Sequence, residues 1–209
     1  MEAEHLSRPE WQRGLPEIVG DRVTLRELRL SDAAALYRAA CTPEIVRHTW
    51  PPPSTLDAIE RFIEWTWTKR AAGEYICFGI VPRGNVDTAG IFELRPLPPG
   101  LFRVELGFVL DPPWWGTGLF ADAARMICEF AFDVLGVHRI EARASIENPR
   151  GNAALRKIGA RKEGRLRAAF LSDGRYVDQY LWSIVKGLDG GPPAPLPHPG
   201  GTRHHAVEA

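Results

Sequence analysis

The stretch that most constrains the fold runs from residue 74 to residue 134. Three strand-like runs, EYICFGIVP (74–82), TAGIFELRP (88–96) and FRVELGFVL (102–110), are separated by short turns rich in Gly, Pro and Asn. Connections this short join antiparallel neighbours. A helix is then expected from Gly116 to about Val134. Leu119, Ala123, Met126, Ile127, Phe130, Ala131 and Val134 fall on one stripe, and Asp122, Arg125, Glu129 and Asp133 lie off it. A meander followed by a helix with one apolar face predicts a sheet covered by helices, that is, a layered α/β domain.

The flanking segments extend this centre. RVTLREL (22–28) alternates imperfectly and reads as a strand. Ser31-Asp32 caps a helix through about Cys41, HTWPPPS (48–54) breaks the chain, and Ser54 or Thr55 caps a second helix carrying Ile59, Phe62, Ile63 and Trp67. HRIEARAS (138–145) is a strand, and GNAALRKIG (151–159) is a short helix closed by Gly159. RLRAAFL and RYVDQYLWSIVK pair as a hairpin through SDG at 172–174. Residues 1–19 read as a polar arm, 20–186 as the domain and 187–209 as a disordered tail rich in Gly and Pro.

Composition narrows the partners. Twenty-six basic residues balance 26 acidic ones, so the chain lacks the basic footprint of a nucleic-acid or anionic-membrane binder. Cys41, Cys77 and Cys128 are odd in number and widely spaced, which implies neither a disulfide framework nor a metal site. Each is expected to be a buried thiol. MEAEHLSRPEWQR has no apolar leader core, and no apolar run is long enough to span a bilayer, so the expected location is cytoplasmic.

The loop Trp115-Gly116-Thr117-Gly118 opens the central helix. The first N–H groups of a helix lack internal partners and carry partial positive charge, so an anion is their natural ligand. Gly116 and Gly118 remove the Cβ atoms that would hold a phosphate away from the backbone. The same two glycines also suit a tight turn with no ligand. Gly116 to Ala121 further matches the dinucleotide pattern G-x-G-x-x-A, with Glu141 near the acidic position of that motif. Against it, Asp111-Pro-Pro-Trp-Trp separates strand from glycine, and the preceding strands look antiparallel. A Walker loop is excluded because no Lys-Ser/Thr follows.

Taken together, residues 20–186 resemble the GNAT acyltransferase superfamily, in particular its branch of ribosomal-protein N-terminal acetyltransferases. The resemblance rests on VELGFVLDP (104–112), Trp115-Gly-x-Gly118, LGVHRIEARASIEN (135–148), Asn148, Leu155, Lys157 and Gly159 at their offsets, and Asp173 to Asp178 in the late hairpin. It implies a mixed, mostly antiparallel sheet of about seven strands flanked by about four helices, splayed between the fourth and fifth strands. It implies acetyl-CoA as co-substrate and no metal. Trp115, Gly116, Thr117, Gly118, Leu119 and Phe120 would hold the pyrophosphate, Val109 and Leu110 would pair with the pantetheine, and Asn148 and Gly151 would line that arm. The reaction would be direct attack by an amine, and no Ser-His-Asp or Cys-His grouping argues otherwise. Three positions depart from the family pattern: Pro113 stands for a Gln or Arg, Ala160 for an aromatic, and Gly151 for the Ser often credited with protonating the departing thiolate. Asn152, Ser145 or water are the substitutes for that acid. Asn148 is carried as a catalytic candidate with Glu105.

Glu105 lies on the strand face opposite Phe102, Val104, Leu106 and Phe108, where a carboxylate can take an amine proton. A free α-amine with pKa about 7.8 is roughly 15% neutral at pH 7, whereas deprotonating a lysine of pKa about 10.4 costs about 4.6 kcal/mol there. A protein or peptide N-terminal amine is therefore the easier acceptor, with small-molecule amines open. The resemblance puts the acceptor groove between the early helices and the last hairpin, which makes Trp50, Tyr176 and Asp178 the acceptor-site candidates, with Trp65 and Trp67 as further wall residues. Of the arginines between 139 and 167, Arg150 or Arg156 is expected near the phosphates. The apolar run YLWSIV offers an edge for a homodimer. The rival readings are a cofactor-binding module without turnover and, more remotely, a nicotinamide-dependent oxidoreductase.

Overall fold

The structure is a computed structural model that describes residues 9–48, 55–172 and 174–188. Its strands are β1 (Ile18–Val19), β2 (Val23–Glu27), β3 (Ile76–Pro82), β4 (Gly90–Leu97), β5 (Arg103–Leu110), β6 (Arg139–Ser145), β7 (Arg161–Ser172) and β8 (Arg175–Val185). They form one sheet in the order β1-β2-β3-β4-β5-β6-β8-β7. Every pairing is antiparallel except that of β5 with β6. The helices are α1 (Glu10–Arg13), α2 (Ala33–Ala40), α3 (Pro43–Val46), α4 (Leu56–Ala72), α5 (Leu119–Glu129) and α6 (Pro149–Lys157).

Period-two alternation divides the sheet into two faces. Phe78, Phe92, Leu94, Val104, Leu106 and Ile140 point to one face and pack with Ala123, Ile127 and Phe130 of the α5 segment in the main core. Cys77 and Tyr75 point to the other, where Leu28, Leu36, Ile59 and Ile63 form a smaller core under α2 and α4. Thr55 caps α4 by accepting a hydrogen bond from the Ala58 N–H at 3.1 Å. Beyond Glu129 the helix widens into a π turn over Phe130–Val134, closed by the Leu135 N–H donating to the Phe130 carbonyl. That wider turn carries Val134 out to solvent, off the expected stripe.

Several expectations change in detail. The described part of the expected arm is packed on the domain. Trp11 of α1 is buried in the main core, and β1 pairs with β2. The buried Arg70 guanidinium of α4 binds the Gln12 carbonyl and the Glu27 carboxylate, which fixes α1 against α4. Cys77 and Cys128 are buried, and burial pushes the Cys128 thiol up to about 12. Cys41, at the end of α2, is exposed instead. Asp32 does not cap α2 with its side chain. It accepts the Arg29 N–H at 2.8 Å and both Arg26 guanidinium nitrogens at 2.7 and 2.8 Å, deep in the protein.

The β5–β6 junction creates the functional geometry. Parallel pairing is confined to Arg103↔Arg139, Val104↔Ile140 and Glu105↔Glu141. From Leu106 to Leu110 on β5 and from Ala142 to Ser145 on β6 the two strands have no mutual pairing, so the sheet opens into a cleft.

Candidate active site

The cleft has a volume of about 700 Å³. Its cofactor-side wall is built by β5 from Leu106 to Leu110, the loop at Trp114–Gly118, and α6 with its preceding Asn148. Its mouth on the other side is built by α3 with Arg47 and His48, the end of β6, and Phe170 and Gln179 of the β7–β8 pair.

Backbone conformation explains the glycines of the loop. Gly116 has φ 77° and Gly118 φ 89°, in the left-handed region that side chains disfavour. Gly118 is the N-cap of α5. A Cβ at Gly116 would stand in open space, so its absence serves approach from outside rather than internal packing. Among the described residues, the N–H groups of Gly116, Thr117, Gly118 and Phe120 have no hydrogen-bond acceptor in the protein. The Thr117 hydroxyl donates to the Trp114 carbonyl at 2.8 Å, and Arg22 donates to the Thr117 carbonyl at 3.2 Å. The loop is thus fixed from behind, with its N–H groups left for an anion.

Trp115 spans the mouth of the splay. Its indole N–H donates to the Leu110 carbonyl at 2.7 Å, and the Arg150 guanidinium of α6 lies 3.9 Å from its ring centroid. Arg150 and Lys157 line the cleft beside the loop and supply positive charge there. Arg156, the other expected phosphate contact, is turned away over the Trp182 ring at 6.0 Å. Val109, Leu110, Trp115, Gly116, Gly118, Phe120, Asn148 and Gly151 are brought to the cleft. Thr117 and Leu119 do not line it with side chains; Leu119 is buried in the core.

Gly90 on β4 has a bearing on Val109. A Cβ at Gly90 would overlap the Val109 carbonyl oxygen and come within 2.9 Å of Leu110 Cα. These are backbone atoms, so they cannot swing aside. Gly90→Ala is expected to cost about 1–3 kcal/mol of stability through overpacking. It should also weaken binding of acetyl-CoA, the co-substrate that the resemblance implies, by moving the Val109–Leu110 edge. Parallel unfolding and calorimetric titrations would check this; an unchanged affinity would mean that this edge takes no part in binding.

At the start of α6 the Asn148 side chain accepts the Gly151 N–H at 2.8 Å. Its oxygen is therefore engaged as a cap, and its amide nitrogen has N–H groups to donate to a ligand arm. A Cβ at Gly151 would lie 2.7 Å from that nitrogen, so a Ser there is incompatible with this Asn148 rotamer. Asn152 is no replacement acid. It is buried, donates to the Ser145 and Asn148 carbonyls at 2.8 and 2.7 Å, and accepts the Trp182 indole N–H at 2.9 Å. Ser145 lines the cleft and its oxygen accepts the Glu147 N–H at 3.1 Å, which leaves its own proton to donate.

Glu105 sits in the last bridged pair of the splay, at the closed end of the cleft rather than on its lining. Arg143 and Arg95 approach its carboxylate at 3.6 and 3.8 Å from the two neighbouring strands. Glu141, across from it, is buried and held by Arg139 at 2.9 Å and Arg103 at 3.3 Å. Those contacts, with antiparallel strands ahead of the loop, rule out the ribose-binding role a dinucleotide motif would give Glu141.

The acceptor candidates fare unevenly. Trp50 lies outside the described residues. Tyr176 is 72% exposed and does not line the cleft. Asp178 accepts the Ala168 N–H at 2.8 Å and the Arg165 guanidinium, which hold its carboxyl below the usual range. Its charge is therefore spent within the β7–β8 hairpin. Trp67 donates its indole N–H to the Leu28 carbonyl. The wall of the cleft on that side is formed by Glu44, Ile45, Arg47, His48, Glu147, Phe170 and Gln179. Burial, then neighbouring Arg47, lowers the His48 pKa. The Glu147 carboxyl is held down by Arg175, with a smaller contribution from His48. Among the described residues, no three metal-ligating side chains come together, and no helix is long and apolar enough to cross a membrane.

Comparison with known proteins places this geometry. The acetyltransferase (GNAT) domain model matches residues 22–161. The uncharacterized N-acetyltransferase YnaD of Bacillus subtilis is 30% identical over 169 residues, 81% of this chain and 96% of that protein. The [ribosomal protein uS5]-alanine N-acetyltransferase of Escherichia coli is 26% identical over 114 residues, 54% of this chain and 59% of that one. Mycobacterium smegmatis RimJ, solved in complex with CoA-disulfide, superposes with a TM-score of 0.71 at 24% identity, covering 78% of this chain and 82% of that one.

Proposed function

This chain belongs to the GNAT acetyltransferase domain family, and from that premise we propose that it moves an acetyl group from acetyl-CoA to a primary amine, in first place the N-terminal α-amine of a protein or peptide. The observation that carries the reading is the splay of β5 from β6, with an unbonded N–H loop at its open end and a carboxylate at its closed end.

The residues fit acetyl-CoA. Gly116 to Phe120 would take the pyrophosphate on backbone N–H groups, helped by Arg150 and Lys157. Three or four charge-assisted bonds of roughly 1.5–3 kcal/mol each suffice without a P-loop lysine. The pantetheine would lie along β5 at Val109–Leu110, where the Leu110 carbonyl is already engaged by the Trp115 indole, and the Asn148 amide nitrogen would donate to it. When bound, acetyl-CoA supplies a thioester, a carbonyl already activated toward an amine. Glu105, fixed by Arg95 and Arg143, takes the proton the amine must lose, directly or through water. The Ser145 hydroxyl is the donor nearest in kind to the missing acid at Gly151. Little acid help is needed, because a thiol of pKa about 8.5 is a good leaving group.

An α-amine acceptor suits this modest acid–base set, since it carries a substantial neutral fraction at pH 7. The uS5-alanine enzyme among the relatives acts on such an amine. The mixed charge of the mouth, Glu44 and Glu147 with Arg47 and His48, favours a peptide terminus over a polycation. We place the protein in the cytoplasm, where acetyl-CoA and ribosomal proteins are found, acting without nucleic acid or membrane. The YLWSIV run offers no free edge to a second copy, because β8 lies between β6 and β7 and pairs with both.

Calorimetric titration of the whole chain with acetyl-CoA, and with NAD as control, tests the premise. Micromolar binding of acetyl-CoA alone is expected. Thiol release with alanine- or serine-initiated peptides, set against spermidine and aminoglycosides, then tests the acceptor. Binding without any turnover would favour the sensor reading, for which Gly151 and Pro113 are the support.

A further inference from the structure

Beside Gly107, on the same sheet face as Glu105, lies a second carboxylate. Glu93 of β4 is the cross-strand partner of Gly107. A Cβ at Gly107 would overlap the Glu93 carboxylate and lie 2.6 Å from its Cγ. The Glu93 side chain therefore occupies the space that the missing side chain leaves, and Gly107 itself lines the cleft. Glycine at 107 opens a window between the cleft and this carboxylate.

The surroundings of Glu93 leave its charge without a counterion. Glu93 is half-buried and makes no ion pair among the described residues. Arg95 and Arg143, two cations on this face, are paired with Glu105 instead. The partner of Glu93 is the Tyr75 hydroxyl, a neutral donor on a buried side chain. Burial pushes that phenol up, so it remains a donor at any working pH. A partly desolvated carboxylate met only by a neutral donor is an electrostatic deficit, and a cation removes it. Next to this pair the structure adds aromatic surface. The Trp65 ring lies 4.8 Å from that of Tyr75 and is 44% exposed, and Phe62 stacks on Trp65 at 6.1 Å. Carboxylate and aromatic faces together are the surroundings that hold an organic ammonium.

We propose that Glu93, reached through the window at Gly107, binds the ammonium form of the acceptor and delivers it beside Glu105. This rests on the acetyltransferase reading and deepens it by dividing the work of two carboxylates. Glu93 sets affinity for the charged amine, and Glu105 takes its proton.

The test is calorimetric titration of the full chain, saturated with CoA, by three ammonium probes: an alanine-initiated pentapeptide, spermidine and lysine amide. The N-acetylated pentapeptide is the uncharged control. At least one probe should bind the unaltered chain. Glu93→Gln, which keeps the Tyr75 bond but not the charge, should weaken that binding tenfold or more while the acetyl-CoA Kd stays within twofold. Gly107→Ala, which keeps the charge but displaces it, should weaken the same probe. Unchanged probe affinity in Glu93→Gln overturns the proposal, as does equal loss of acetyl-CoA and probe, which would mark Glu93 as a support of the cleft. If acetyl-CoA binds the unaltered chain normally and none of the probes does, the proposal falls and the acetyl-CoA reading stands. If acetyl-CoA itself does not bind, both fall.

Discussion

Replacing Asp32 by alanine should cost about 3–5 kcal/mol of folding free energy, the range for breaking a buried ion pair from one side. Arg26 and Asp32 meet in a two-pronged contact with side chains 7% and 2% exposed, and among the described residues the Arg26 guanidinium otherwise donates only to the Glu27 and Val86 carbonyls. Without the carboxylate a full positive charge stays in a low-dielectric site. Typical domains are stable by only about 5–15 kcal/mol, so the variant should unfold at much lower denaturant. Replacing both residues with apolar ones of similar volume should restore much of the loss, because both desolvation costs vanish together. Equilibrium urea unfolding of the single and double variants would decide it. A loss under about 1 kcal/mol in Asp32→Ala would mean that water reaches Arg26.

The largest effect on activity is expected at Glu105. Positioned general bases contribute about 10²–10⁴ in rate, and Glu105→Gln removes the base while keeping the shape. The turnover number should fall by that factor while the acetyl-CoA Kd, set at the loop and at Val109–Leu110, stays the same. Steady-state kinetics with the best peptide acceptor, beside calorimetry, separate the two quantities. An unchanged turnover number would remove Glu105 from the mechanism.

What could be read from the sequence follows from the range over which each signal acts. The three central strands, α5 and the late hairpin were legible because alternation, helical period and turn chemistry are local. The glycine loop was legible because the residues that need left-handed backbone are the ones that approach the ligand. Trp11 was not, because one buried aromatic in a polar stretch carries no period, and its site is made by the distant Arg70 and α4. The cleft wall at Glu44–His48 escaped notice because α3 is only four residues long. Asp178 looked available because its partners, Arg165 and the Ala168 N–H, come from the strand across the hairpin, beyond a bulge. Glu93 needed the register itself: nothing within β4 says that a glycine stands opposite it. The placement of β8 between β6 and β7 is likewise a tertiary choice that no local pattern encodes.

The three-pair seam between β5 and β6 also has a mechanical meaning. Strands β1–β5 and β6–β8 are two parts of one sheet whose strand pairing with each other is confined to this seam, like the jaws of a clothes-peg. From Glu105 at the seam to Leu110 at the lip is five residues, about 17 Å at roughly 3.4 Å per residue. A rotation of about 10° around the seam would carry the lip through about 3 Å and leave Glu105 almost at rest. Glu105 therefore sits at the fulcrum, where flexing of the jaws would disturb it least. The glycine loop rides at the end of the lever, where a small change of angle would move it most.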